Sequence, residues 1–130
     1  MNDNVILVVD DDDCGRYPLE YVLLTLGLSV ISASNGSEAV DLALVHQPKL
    51  IFMDLMMPDM DGYAATAAIH ARHSTAATPI VAISANCDLP HRFRALEAGM
   101  VEFVAKPWEI PDICRILAKH GVRPADCAAE

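Results

Sequence analysis

Short apolar runs rich in β-branched residues, alternating with helix-length amphipathic stretches, predict an α/β protein with one doubly wound, five-stranded parallel sheet. Three observations carry that expectation. Residues 5–9, 50–53 and 80–83 are continuous apolar runs, the pattern of strands buried on both faces. A polar residue follows each run at once, namely Asp10, Asp54 and Ser84. Capping residues, prolines and glycines punctuate the stretches between them. Right-handed crossovers in so short a chain favour the strand order 2-1-3-4-5, which sets the first and third strands side by side. A ligand crevice then opens at their carboxyl ends.

The first strand, 5–9, is short and β-branched, and Asp12 or Asp13 can cap the helix after it. The apolar positions of that helix include Leu19, Val22, Leu23 and Leu26. Gly15 and Pro18 fall early in it. Proline is tolerated in the first turn, so the regular helix is expected from Arg16, with Gly27 ending it. A second strand spans 28–33. Asn35-Gly36 then reads as a turn, and Ser37 as the cap of a helix that stops before Pro48. The third strand ends at Met53, Asp54 follows, and Pro58 and Gly62 bracket a tight loop.

Asp61 caps an alanine-rich helix, 62–72, whose small side chains let neighbours approach closely. A polar connection, 73–78, leads to Pro79 and the fourth strand, which ends at Ser84. Asp88 caps the next helix with Pro90 in its first turn, and Gly99 closes it. The fifth strand, 101–105, is interrupted by Glu102, the mark of an edge. Lys106-Pro107 follows, then Trp108 packed at the start of a last helix, 109–119. Residues 1–120 are expected to form one domain and 121–130 a short tail.

Composition narrows the function. A chain of 130 residues that is 53% apolar and 21% charged suits one well-packed core. Its net charge of −9 leaves no basic stripe to neutralise phosphates, so no direct nucleic-acid contact is expected. No apolar run is long enough to span a bilayer and no cationic leader opens the chain. A cytoplasmic location without membrane insertion is therefore expected. Cys14, Cys87, Cys114 and Cys127 lack metal-ligand or CxxC spacing and are read as reduced thiols. His46, His70, His73, His91 and His120 are scattered over helix surfaces and ends, away from the crevice.

The chemistry lies in the strand ends. Asp10 and Asp11 after the first strand and Asp54 after the third would converge, a costly arrangement without a cation. The pattern points to a divalent-metal site with Asp54 as a nucleophile. Ser84 and Lys106 end the fourth and fifth strands and face the same crevice, giving a site for a hard cation plus an oxyanion. Mg²⁺ takes oxygen ligands and keeps several waters, so two carboxylates and a main-chain carbonyl suffice. Lys106 adds charge for the anionic group.

Several of these stretches recur together in one family. Val-Val-Asp-Asp at 8–11, Met-Asp-Leu-Met-Met-Pro-Asp-Met-Asp-Gly at 53–62, Ile-Ser-Ala-Asn at 83–86, Gly-Met at 99–100 and Lys-Pro at 106–107 resemble the receiver domains of bacterial two-component response regulators. The likeness covers about residues 4–119. It implies the flavodoxin-like, chemotaxis-Y-like receiver fold. It also implies phosphorylation of Asp54 from a phosphohistidine on a partner histidine kinase or histidine phosphotransfer protein. Mg²⁺ would be held by Asp11, Asp54 and the Met56 carbonyl, with Asp10 acting through water. Lys106 would pair with one phosphoryl oxygen, Ser84 would move to another, and Phe103 would turn inward into the space Ser84 leaves.

Three positions depart from the commoner pattern. Phe103 lacks a phenol hydroxyl, Gly15 and Pro18 interrupt the first helix, and Met56 is apolar. The resemblance fits a free-standing regulator or part of a hybrid kinase, acting on a downstream protein target. It describes a regulatory domain that assists its own phosphorylation and dephosphorylation, not an enzyme. Asp10-Asp11-Asp12 also imitates the DxD of haloacid-dehalogenase-like phosphatases, with Asp10 as nucleophile. Asp13-Cys14 stand where that family has a small residue and then threonine or valine, and no cap domain fits. A phosphorylation-independent receiver-like binding module is the third reading, and the full set Asp11, Asp54, Ser84 and Lys106 argues against it.

Overall fold

The computed structural model describes residues 5–86 and 88–122. In chain order the elements are β1 (Val5–Val9), α1 (Asp13–Thr25), β2 (Ser29–Ala33), α2 (Gly36–His46), β3 (Leu50–Asp54) and α3 (Gly62–His70), followed by a 3₁₀ turn, His73–Thr75. Then come β4 (Ile80–Ser84), α4 (Leu89–Ala98), β5 (Glu102–Ala105) and α5 (Ile110–Lys119). The strands form one parallel sheet in the order β2-β1-β3-β4-β5, as the alternating pattern predicts.

The pleat sorts the continuous apolar runs onto two faces. Ile6, Val8, Leu50, Phe52, Val81 and Ile83 meet Leu19 and Leu23 of α1 and Ile113, Ile116 and Leu117 of α5. Leu7, Val9, Ile51, Met53, Ile80 and Ala82 meet α2, α3 and α4 through Ala39, Ala43, Tyr63, Ala65, Ile69 and Ala95. Small residues dominate the second helical layer, which brings α2 and α3 close. Each large side chain fully buried in this way contributes about 1.5–3 kcal/mol.

Several boundaries differ from the sequence reading, each for a local reason. The first helix begins at Asp13, not near Arg16, because Asp12 caps it by accepting from the Cys14 amide at 3.0 Å. Pro18 therefore lies inside α1 and forgoes one helical hydrogen bond. Cys14 and Pro18 are both exposed, so water can reach the carbonyl left unpaired. Asn35 is a cap rather than part of a turn. Its side chain accepts from the Glu38 amide at 2.7 Å, Glu38 reaches back to the Ser34 amide, and Ser37 plays no capping part. The third helix stops at His70, and the connection after it contains the 3₁₀ turn.

Other signals read as expected. Asp61 and Asp88 cap α3 and α4. Gly99 ends α4 with φ of 105°, a conformation that favours glycine. β5 is an edge strand, and it begins at Glu102 rather than at Val101. Core packing continues past the expected domain end at 120. Val122 is completely buried against the α1–α5 layer, and its amide donates to the Leu117 carbonyl. The remaining tail, 123–130, lies outside the described residues, as do Cys87 and Cys127. Among those described, Cys14 is a free, exposed thiol, and no helix is long and apolar enough to cross a membrane.

The loop from β3 to α3 is closed by backbone contact. The Gly62 amide donates to the Leu55 carbonyl at 3.0 Å, and a Cβ at Gly62 would sit 2.3 Å from the Asp54 carbonyl oxygen. Only a residue without a side chain admits this approach. Gly62→Ala is expected to lower stability by about 1–3 kcal/mol through overpacking. Urea unfolding measures this, and an unchanged midpoint would show that the loop can retreat without penalty.

Candidate functional site

The carboxyl ends of β1, β3, β4 and β5 converge on a cleft of about 420 Å³. Asp10, Asp11, Asp54, Met56, Ser84, Asn86 and Lys106 all line it, so the residues singled out at the strand ends are brought together. Ligand oxygens of Asp10, Asp11 and Asp54 lie within 4.8 Å of one another. Asp10 and Asp54 are buried, whereas Asp11 is exposed at the rim.

Asp10 is the most constrained of the three. Its Oδ2 accepts from Lys106 Nζ at 3.0 Å and its Oδ1 from the Asp12 amide at 2.9 Å. Asp54 Oδ1 accepts from the Met56 amide at 3.3 Å. Ser84 Oγ accepts from the Asn86 amide at 3.1 Å, and the Lys106 amide donates to the Ser84 carbonyl at 2.9 Å, tying the ends of β4 and β5 together. Lys106 is joined to Pro107 by a cis peptide.

These contacts set the electrostatics. Burial, and then the negative charge of Asp10, push the Asp54 carboxyl up to about 7, although Lys106 and the Met56 amide pull the other way. Burial alone would lower Lys106. The hydrogen bond to Asp10 and the charges of Asp54, Asp10 and Asp12 outweigh it and hold the ammonium above its ordinary value. The crevice is thus short of positive charge, with the Lys106 ammonium set against the carboxylates of Asp10, Asp11 and Asp54. Three carboxylate donors at this spacing suit a hard, oxygen-preferring cation such as Mg²⁺.

Gly15 and Phe103 acquire a setting the chain alone does not show. The first turn of α1 roofs the ion pair, and a Cβ at Gly15 would fall 2.4 Å from Asp10 Oδ2 and 3.1 Å from Lys106 Nζ. The glycine that seemed to disturb the helix is what lets the helix close over the site. Phe103 lies on the α4 side of the sheet, partly buried, with the Arg92 guanidinium 5.0 Å from its ring centre. Sequence reading missed both contacts, since neither Gly15 nor Arg92 sits next to its partner in the chain. The histidines do other work: His70 Nε2 lies 2.8 Å from the Thr78 carbonyl, and His91 pairs with Asp88. With both carboxylate oxygens engaged, Asp10 is not placed to attack a substrate, so the phosphatase reading is not favoured.

A parallel 2-1-3-4-5 sheet with an acidic crevice at its switch point defines a doubly wound α/β domain whose candidate site lies outside the carboxyl ends of its strands. The chain belongs to the response regulator receiver domain family, whose model matches residues 6–118. It is thus a receiver domain of two-component signalling, a regulatory class of domain whose members bind Mg²⁺ at an acidic site.

Its similarity to known proteins is consistent. It is 35% identical over 108 residues to a probable transcriptional regulator, ycf27, of Porphyridium aerugineum, covering 83% of this chain and 44% of that one. It is 34% identical to hybrid signal transduction histidine kinase L of Dictyostelium discoideum, covering 89% of this chain and 7% of that one. The chain therefore spans less than half the length of these relatives. The receiver domain of sensor histidine kinase PA1611 from Pseudomonas aeruginosa, solved with a magnesium ion in its active-site cleft, superposes with a TM-score of 0.84. The two are 34% identical, over 89% of this chain and 95% of that one. Chemotaxis protein CheY4 of Vibrio cholerae shares the fold, with a TM-score of 0.85 at 23% identity over 89% and 97% of the two chains.

The raised pKa of Asp54 has a consequence for stability. Between its ordinary value of 3.8 and about 7, Asp54 is protonated in the folded chain and ionised in the unfolded one. Its contribution to stability therefore falls as pH rises through that window and levels off above it. In chelator, Asp54→Asn should be more stable than the wild type at about pH 8 by on the order of 1 kcal/mol. The gap should narrow toward about pH 5. Denaturant midpoints of both proteins across pH provide the check, and a pH-independent gap would mean that Asp54 titrates normally.

Proposed function

We propose that Asp54 is the phosphoacceptor of this domain and takes its phosphoryl group from a phosphohistidine on a histidine kinase or a histidine phosphotransfer protein. The observation that carries this reading is the position of Asp54. It is buried, groups with Asp10 and Asp11, and lines the same cleft as Lys106. In the transfer a carboxylate oxygen of Asp54 bonds to phosphorus as the P–N bond to the imidazole breaks, leaving an acyl phosphate and a histidine that takes up a proton.

Asp11, Asp54 and the main-chain carbonyl of Met56 would hold Mg²⁺, with Asp10 acting through water while it restrains Lys106. The cation would neutralise the crowded carboxylates and the oxygens of the incoming group. Lys106, already anchored by Asp10, would meet a phosphoryl oxygen with little reorganisation. Ser84 is buried, and its hydroxyl would turn to donate to another phosphoryl oxygen, drawing the loop after β4 inward. Phe103 would follow into the space left behind. Lacking a phenol hydroxyl, it would signal through packing alone. On this reading the domain assists its own phosphorylation and dephosphorylation, and it acts on a downstream protein rather than on nucleic acid or membrane. The expected cytoplasmic location belongs to the same proposal.

Two measurements test it. A small acyl or amide phosphodonor with Mg²⁺ should label the wild type at Asp54 and leave Asp54→Asn unlabelled. Asp11→Asn should weaken Mg²⁺ binding and slow labelling together, by roughly 10-fold or more. Normal labelling of Asp11→Asn at limiting Mg²⁺ would remove Asp11 from the ligand set. The lifetime of the phosphoryl group is the second measurement. Met56 and Asn86 are both exposed at the cleft mouth, and neither can deprotonate an attacking water. After donor removal, Met56→Asn and Asn86→Glu should lose phosphate several-fold faster than the wild type. Decay of Met56→Asn at the wild-type rate or slower would show that Met56 only lines the loop.

A further inference from the structure

The acidic loop between β1 and α1 is held by a side chain that has no part in the reaction just described. Arg16, in the second turn of α1, engages three partners through its three guanidinium nitrogens. Nη1 donates to the main-chain carbonyl of Asp10 at 2.9 Å, Nη2 to Asp13 Oδ1 at 2.5 Å, and Nε to Glu20 Oε2 at 3.1 Å. Glu20 Oε2 in turn accepts from Ser32 Oγ of β2 at 2.7 Å. The Arg16 side chain is only 12% exposed, so this fork is built into the fold rather than lying on the surface.

The carbonyl that Arg16 grips belongs to the peptide joining Asp10 to Asp11. Every other polar group of Asp10 is also engaged: its amide donates to the Ala33 carbonyl at 3.1 Å, and its two carboxylate oxygens meet Lys106 and the Asp12 amide. With Asp10 pinned at all four points, the plane of the next peptide is set, and with it the direction of Asp11. That matters because Asp11 is exposed and stands in a run of four aspartates, 10–13, so repulsion alone would turn its carboxylate outward.

We propose that Arg16 is a positioning residue for the cation site, acting through the Asp10–Asp11 peptide to hold Asp11 toward Asp54. The proposal rests on the reading of the cleft as a Mg²⁺-dependent phosphoacceptor site. It makes a prediction opposite in sign to simple electrostatics. A positive charge beside a cation site repels the cation, so a guanidinium acting by charge alone weakens Mg²⁺ binding, and its removal would strengthen it. A guanidinium acting by position does the reverse.

The experiment is Mg²⁺ titration of the full chain, followed by calorimetry and by the fluorescence of Trp108, the only tryptophan. Variants are Arg16→Met, Arg16→Lys and, as a control on the far side of the fork, Glu20→Gln. Arg16→Met keeps the apolar stem and is expected to weaken Mg²⁺ binding by roughly 10-fold. Arg16→Lys keeps the charge but replaces a planar fork with a point ammonium, so it should restore only part of the loss. Glu20→Gln leaves the grip on the Asp10 carbonyl intact and should bind Mg²⁺ like the wild type.

Unchanged or tighter binding by Arg16→Met overturns the proposal. So does an equal loss in Glu20→Gln, which would trace the effect to a loosened α1. If the methionine variant does not fold, as circular dichroism would reveal, the lysine variant decides alone: weaker binding supports positioning, and wild-type binding overturns it. A wild type that neither binds Mg²⁺ nor accepts phosphate at Asp54 would instead sink the phosphoacceptor reading itself.

Discussion

The ion pair between Asp10 and Lys106 joins residues 96 positions apart in the chain and closes the sheet's working edge. Two strands, β3 and β4, lie between β1 and β5, and the long Lys106 side chain reaches across them to Asp10. The pair is asymmetric: the Asp10 side chain is 6% exposed and that of Lys106 is 26% exposed. Its positive partner therefore keeps a wet side facing the cleft, where an anion can arrive. A carboxylate as buried as Asp10 needs both oxygens satisfied, and the backbone amide of Asp12 supplies the second donor. Much of the surrounding geometry answers to this pair, including the absence of a side chain at Gly15 directly above it.

Around that anchor the fold tolerates a local excess of negative charge. One ammonium is shared among the carboxylates, and the imbalance is expressed in Asp54, which is pushed up to about 7. Stability is given up at the place where a cation and a phosphoryl group would restore it. This is a common arrangement where binding rather than folding supplies the missing counter-charge. The rigid strands that carry these groups keep them from relaxing apart.

The side of the sheet facing α4 has a different character. Phe103 is partly buried beneath Arg92, and Tyr63 of α3 packs under Arg94, with its hydroxyl 3.4 Å from the His91 carbonyl. Two arginines of one helix thus rest on aromatic rings from two other elements. Such contacts are held by soft attraction rather than by interlocked bulk, and they can rearrange at modest cost.

Much of this was legible in the chain. Continuous apolar runs ending in Asp10, Asp54 and Ser84 defined buried parallel strands and their functional edge, because strand ends project their next residue into the crevice. The caps at Asp61 and Asp88 and the stop at Gly99 were also local, since their chemistry depends on neighbours three or four residues away. Where two local signals competed, as with Asn35 against Ser37 or Pro18 against the Asp12 cap, sequence alone had no means of ranking them, and the capping hydrogen bonds made by Asn35 and Asp12 decided. The sequence by itself determined the strand pattern, the acidic and basic residues of the site, and which ends they occupy. Tertiary structure alone decided that Gly15 makes room for the ion pair, that Arg16 grips the Asp10 carbonyl, and that Val122 belongs to the core. Those three depend on distances between elements, and a sequence pattern records what a residue is suited to touch, not which partner the folded chain brings within reach.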